Sequence, residues 1–278
     1  MRLAKTIVVC ICILVMLAAC GKHIPAIDPQ LLQSKSSLLV ITGSAFPDAA
    51  KSKLNASLVK WRDTNHIAFE WMSDTSELSE AQWDKIKSVP YDYIVVIGHA
   101  LMESVLPTAQ QVTSRKWIML DDLPAQEATA VPFDHIMLKQ VPQARLHAEW
   151  DVWVRQQLVS GRIIEWVTQS TKPIPSDWAP SEEAEYITLT DAEGWYPQFQ
   201  FQARQHGASW IVTYATLEQA AMNRLKNLSI PIVNMAATGV EQQWDAILSG
   251  LLDMMQNRSW KPGNQPYADN EVKIVKNL

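Results

Sequence analysis

The chain has 278 residues, 47% of them hydrophobic, and a net charge of −5. That size and apolar content suffice for one large core or two smaller lobes, and the acidic balance argues against a surface built to hold nucleic acid. Its cysteines are Cys10, Cys12 and Cys20, all close to the start, so the rest of the chain has no disulfide and no thiolate site for a metal.

The opening reads as a leader. Arg2 and Lys5 precede an apolar run from Ile7 to Leu17, and small residues follow in Leu17-Ala18-Ala19-Cys20. The run falls short of the roughly 20 apolar residues of a membrane span. Leu17-Ala18-Ala19-Cys20 is similar to a bacterial lipobox, which implies that residues 1–19 are removed and that Cys20 is acylated, anchoring the chain to the extracytoplasmic face of a bacterial cell membrane. The plainer alternative is an ordinary signal peptide with an incidental cysteine. Loss of Arg2 and Lys5 with the leader takes the net charge from −5 to −7. Residues 20–35, with Pro25, Pro29 and little periodicity, read as a flexible tether.

Order begins near Leu38. Leu38 to Thr42 is a strand, Gly43 to Pro47 a loop, and Ala50, Leu54, Leu58 and Trp61 mark a helix. Ile67 to Trp71 is a second strand, and Leu78 to Ile86 a short helix started by Ser76 or Ser79. Tyr93 to Ile97 is an unbroken β-branched and aromatic run, the pattern of a strand buried on both faces. Gly98 ends it. Met102, Val105, Leu106, Ala109 and Val112 then recur at helical spacing, and Lys116 to Leu120 starts a further strand that Asp121-Asp122 stops. Together these make a βαβ unit with its loops at the carboxyl edge of the sheet.

Phe133 to Leu138 is a fifth strand, Pro142 to Ser160 a long helix, and Ile163 to Thr168 and Tyr186 to Leu189 are strands separated by the proline-bearing loop Lys172 to Pro180. Trp195 to His206 is a helix closed by Gly207. Trp210 to Tyr214, a helix with Ala221, Leu225 and Leu228 on one face, and Pro231 to Met235 repeat the βαβ grammar. Val240, Trp244, Ile247, Leu248, Leu251, Leu252 and Met255 give the strongest helical period, and Glu271 to Val275 is a last strand. The expected class is α/β with mostly parallel sheets in two Rossmann-like lobes.

Tyr91-Asp92-Tyr93-Ile94-Val95-Val96-Ile97-Gly98, a helix, and Lys116-Trp117-Ile118-Met119-Leu120-Asp121-Asp122 resemble the basic membrane protein (BMP) family of substrate-binding lipoproteins of ABC transporters. Gly207 to Val212 resembles the second-lobe counterpart, and Trp260 to Leu278 the family's ending. The resemblance implies a type 1 periplasmic-binding-protein fold, two lobes joined by three crossings and closing on a small solute. Lobe one is placed at 36–139 and 236–259, lobe two at 140–235 and 260–278. An ABC permease is the implied partner.

Ligands of open α/β sheets sit beyond the carboxyl ends of the strands. That selects Ser44, Phe46, His99, Asp121 and Asp122 from lobe one, and Gln169, Tyr214, Thr216, Asn234 and the aromatic Trp195 from lobe two. Nucleoside-binding family members carry an Asp-rich stretch after the first strand. Here that place reads Thr42-Gly43-Ser44-Ala45-Phe46, so a nucleoside-like solute is retained as a candidate only through Asp121 or Asp122. Each residue also has a plainer reading: Asp121-Asp122 as a strand-ending turn, His99 as a loop residue bonded to a carbonyl, Phe46 as a staple for the next helix. No phosphate loop, nucleophile elbow or His-Glu-x-x-His occurs, and the histidines are scattered, so neither an enzyme nor a metal or cofactor site is expected. A sensor or regulatory lipoprotein that contacts another protein is the alternative role.

Overall fold

The computed structural model describes residues 35–125, 133–179 and 187–276. The expected leader, Cys20 and nearly all of the expected tether lie outside them, and the account below concerns the compact unit Ser37–Leu278.

The first half alternates strand and helix: β1 (Ser36–Thr42), α1 (Asp48–Asn65), β2 (Ile67–Met72), α2 (Glu80–Ser88), β3 (Tyr93–Ile97), α3 (His99–Ala109), β4 (Lys116–Pro124) and β5 (Ile136–Val141). With β11 (Gly263–Pro266) these strands form one sheet in the order β11-β5-β4-β3-β1-β2. The pairs β1–β3, β3–β4, β4–β5 and β5–β11 run parallel. Parallel strands buried on both faces need two covering layers, and the side-chain alternation supplies them. Leu38, Val40, Tyr93, Val95, Ile97, Ile118 and Leu120 face one way, against Leu54, Leu58 and Trp61 of α1 and Trp244, Ile247 and Leu251 of α7 (Trp244–Gln256). Leu39, Ile41, Ile94, Val96, Trp117 and Met119 face the other, against Ile86 of α2 and Leu101, Met102 and Val105 of α3.

Local chemistry sets the helix ends. Ser79 accepts the Gln82 amide while the Gln82 side chain accepts the Ser79 N–H, a reciprocal cap that starts α2, and Leu78 and Trp83 flank it in the same apolar cluster. His66 at φ 57° closes α1 in the left-handed conformation.

The second half gives α4 (Gln143–Val159), β6 (Ile164–Thr168), β7 (Ile187–Leu189), α5 (Trp195–His206), β8 (Trp210–Thr213), α6 (Gln219–Lys226) and β9 (Ile232–Asn234). Its sheet has the order β7-β6-β8-β9, all parallel. Trp166, Val212 and Val233 pack against Trp150, Trp153 and Val154 of α4 and against Trp178. Val167 and Ile211 pack against Phe199 and Ala203 of α5 and Leu225 of α6. The loop after β6 therefore covers part of a face where a doubly wound fold would lay a helix; Pro173 and Pro175 suit it to that path. Tyr186, expected at the start of β7, and Pro180 lie outside the described residues.

Four expectations are corrected. Val240 does not begin the last helix: it pairs with Ile274 in a two-stranded antiparallel ribbon of β10 (Gly239–Gln242) and β12 (Val272–Val275), and α7 starts at Trp244. The fifth strand begins at Ile136 rather than Phe133. Asp121-Asp122 does not stop β4, which continues to Pro124 through a register shift between Leu120 and Pro124. The tail, expected with the second lobe, instead gives β11 to the first sheet, and Tyr267 and Val272 join the first-sheet core.

The chain passes from the first sheet to the second at Val141-Pro142 and returns at the 3-10 turn Met235–Ala237. Side chains tie this region together. Arg145 Nη1 donates to the Tyr267 carbonyl at 3.3 Å and Nη2 to that of Val272 at 3.2 Å, and Trp150 Nε1 donates to Thr238 Oγ1 at 2.9 Å.

Candidate ligand-binding edges

In both sheets the strand that opens the half is flanked by the second and third strands of that half, so the order 2-1-3-4 occurs twice. In the first sheet the helices after β1 and β3 leave to opposite faces, which opens a crevice at the carboxyl ends of those strands. Gly43 closes its floor, its N–H donating to the Ile97 carbonyl at 3.4 Å. Ser44 is exposed in the turn that follows. Phe46 turns away, only 8% exposed and edge-on to Trp244 with centroids 4.9 Å apart, so it is a core residue and presents no face to a solute.

Across the crevice, Gly98 adopts φ 104°, a conformation that favours glycine, and turns the chain into α3. The His99 N–H donates to Asp122 Oδ1 at 2.7 Å. The His99 Nδ1 lies 3.0 Å from Asp121 Oδ1, and Nε2 lies 3.3 Å from Glu103. Asp121 is 3% exposed, and its Oδ1 also accepts the Leu123 N–H at 2.9 Å. Burial works against a charged imidazole here, but the hydrogen bond that the ring donates to Asp121 and the charges of Asp121, Glu103 and Asp122 outweigh it, holding His99 above its ordinary value. β4 is irregular between Leu120 and Pro124, and there the buried Asp121 meets the His99 ring while the exposed Asp122 meets its N–H. The Asp121 carbonyl is held from behind by Tyr267 Oη at 3.0 Å and Gln242 Nε2 at 3.4 Å.

In the second sheet Gln169 spans the equivalent crevice, its Nε2 donating to the Thr216 carbonyl at 3.3 Å. Thr216 itself is exposed. Tyr214 is half-buried, edge-on to Trp178 with centroids 5.9 Å apart, and the Lys172 ammonium stands 5.2 Å from its ring centre. Burial, with a smaller contribution from the charge of Asp177, pushes the Tyr214 phenol up. Trp178 in turn stacks on His147 at 4.4 Å, and His147 Nε2 lies 3.2 Å from Asp177. Asn234 is committed internally: its Oδ1 accepts from Thr213 Oγ1 at 3.0 Å and from the Ala237 N–H at 3.2 Å, capping the 3-10 turn. Trp195 packs on Tyr196 and on the buried Phe199, a helix-anchoring role.

The structure thus gathers His99, Asp121 and Asp122 at one edge and Gln169, Thr216 and Tyr214 at the other, with Ser44 exposed beside the first. Phe46, Asn234 and Trp195 have structural employment. Glu103 and Lys172 were not singled out in the sequence. A one-turn spacing from His99 pointed to Glu103; nothing in Thr171-Lys172-Pro173 distinguished the lysine. Two shallow grooves of about 350 and 460 Å³ lie elsewhere, lined by Lys87, Gln111 and Val112 and by Pro197, Phe201 and Arg204.

No family model matches the chain, and no curated protein matches it. Solved structures do. ABC transporter system solute-binding proteins from Aeropyrum pernix K1 align at 13% identity and TM-score 0.40, over 86% of this chain and 76% of that one. A transcriptional activator of the comK gene from Bacillus halodurans aligns at 11% and 0.43, over 86% and 89%. A LacI family transcriptional regulator from Enterococcus faecium, with bound ribose, aligns at 12% and 0.40, over 86% and 97%. The α/β class rests on the strand order of this chain rather than on those likenesses.

Proposed function

We propose that the protein is an extracytoplasmic solute-binding protein, anchored through Cys20, whose two lobes close on a small molecule in the manner of type 1 periplasmic binding proteins and deliver it to an ABC permease. One observation carries this reading. The same strand order occurs twice, and at each carboxyl edge the polar residues are positioned by dedicated hydrogen bonds, His99 to Asp121 and Gln169 to Thr216. The regions between the sheets, Val141-Pro142 and Met235–Ala237, are short enough to serve as hinges. Membership of the BMP family belongs to the same proposal, and a nucleoside is one class of solute that the screen has to include. Asp122 can accept ribose hydroxyls; base stacking has to come from a residue other than Phe46.

The test is a thermal-shift and small-angle scattering screen of the purified protein against nucleosides, sugars and amino acids. A true solute present at a hundredfold excess over its Kd stabilises by about 2.7 kcal/mol and contracts the particle. No shift from any class rejects the reading. Replacing Cys20 with serine should move the protein from the membrane fraction to the soluble one; unchanged partitioning rejects the anchor.

A regulatory role through a protein partner is favoured by a different observation, the 69% exposure of Phe201 on the outer face of α5 beside the larger groove. Genes for a permease and an ATPase beside this one would favour transport, and their absence would favour regulation.

A further inference from the structure

The N-terminus of the helix that follows the third strand is, in wound sheets, a ready receptor for anions. In this chain the place is taken. Asp122 Oδ1 already accepts the first amide of α3 at 2.7 Å, and Asp122 is exposed, with no further hydrogen bond to its other oxygen among the described residues. Glu103, also exposed, sits one turn on. The one imidazole of His99 is shared between the buried Asp121 and Glu103. The first edge is therefore rich in acceptors and negative, and suits an ammonium or hydroxyl group rather than a phosphate or carboxylate.

The second edge adds a cation, with the carboxylates of Asp191, which accepts the Ser170 N–H, and Asp177 nearby. Lys172 stands over the Tyr214 ring at 5.2 Å, and no carboxylate lies within ion-pair distance of its amine among the described residues. Although the lysine as a whole is exposed, its amine is partly withdrawn from water against the ring, and burial lowers its pKa. A cation held in this way gains most from an anion brought to it, and the Tyr214 hydroxyl at the same edge can donate to that anion. Closure of the lobes on a neutral solute would strip water from both charged edges and compensate neither.

Resting on the solute-binding reading above, we propose that the ligand is a zwitterion of the α-amino-acid type, its ammonium group met by Asp122 in the first lobe and its carboxylate by Lys172 and Tyr214 in the second.

The test uses isothermal calorimetry on the whole protein with each of the twenty L-amino acids, a set of neutral nucleosides and a set of neutral sugars. Any amino acid that binds is repeated as its amide, which keeps the ammonium and lacks the carboxylate, and against Lys172→Met, with a melting curve to confirm that the variant is folded. The expected result is binding of at least one amino acid, a loss of tenfold or more in affinity for its amide, and Lys172→Met binding acid and amide alike. Binding of a nucleoside or sugar, with Lys172→Met unaffected, overturns the zwitterion assignment and leaves the solute-binding reading standing. An amino acid whose affinity survives both the amide and Lys172→Met overturns it too. Silence from every class removes both.

Discussion

Cutting Glu271 back to alanine tests whether the tail of the chain is locked to the first sheet by a buried ion pair. Lys139 on β5 donates to Glu271 Oε1 at 2.5 Å and Oε2 at 2.6 Å, with side chains 14% and 7% exposed. The same carboxylate accepts the Ala268 N–H at 2.7 Å, and the lysine also lies 5.3 Å from the Tyr267 ring centre. Alanine at 271 leaves the ammonium in place without its counter-ion and the amide without its acceptor. Stripping one partner from a buried pair costs about 3–5 kcal/mol. In a chain of this size each kcal/mol moves Tm by about 2–4 °C, so the midpoint should fall by roughly 6–20 °C. Calorimetry and urea titration followed by circular dichroism measure it. The double variant Lys139→Met/Glu271→Leu removes both charges and keeps volume, and should recover most of the loss. A deficit below about 1 kcal/mol, the size of an exposed pair, or a double variant no better than Glu271→Ala, would refute the buried-pair reasoning.

Phe46→Ala should cost about 3–5 kcal/mol in urea titration because it empties a site at 8% exposure against Trp244. A loss under about 1 kcal/mol would return Phe46 to the list of ligand contacts. His99 is held above its ordinary value of 6.5 in the folded chain, so its stabilisation is whole below that pH and fades as pH rises through the folded value. His99→Gln should therefore be most destabilising in acid and approach the parent protein in base, read as the pH dependence of Tm for the two proteins. Parallel curves would dismiss the His99–Asp121 ion pair.

Elements whose signal is local were legible in the sequence. Trp195–His206 was read to the residue, because an apolar stripe ends at Gly207, which takes φ 65°. The β3–α3–β4 unit was legible because five consecutive buried residues in β3 leave no alternative to a central strand. What failed depended on distant partners. Gly263-Asn264-Gln265-Pro266 has no strand-forming side chain, and it is a strand only because the edge of β5 accepts it in register. Val240 keeps helical spacing with Trp244 and Ile247, yet Ile274 claims it for the ribbon. The strand-end rule placed His99, Asp121, Asp122, Gln169 and Tyr214 at the sheet edges, where they lie, since it needs only the positions of strand termini. It also took in Phe46 and Asn234, because proximity to a strand end does not say which way a side chain turns. Glu165, fully buried in β6, was invisible as a special residue: its partner His206, with Nδ1 at 2.7 Å, is 41 residues away.

The placement of β11 and β12 has a consequence for how the molecule comes into being. The Tyr267–Asp121 hydrogen bond spans 146 residues and the Lys139–Glu271 pair 132, so the outer rim of the first sheet is supplied by a stretch that follows the whole second half of the fold. While a nascent chain is still emerging from the ribosome, β5 is an unprotected border open to mispairing, however well the residues before it have already collapsed. Growth from the amino end thus does not translate into assembly in the same order, and the half that is made first is completed only after the second has been made.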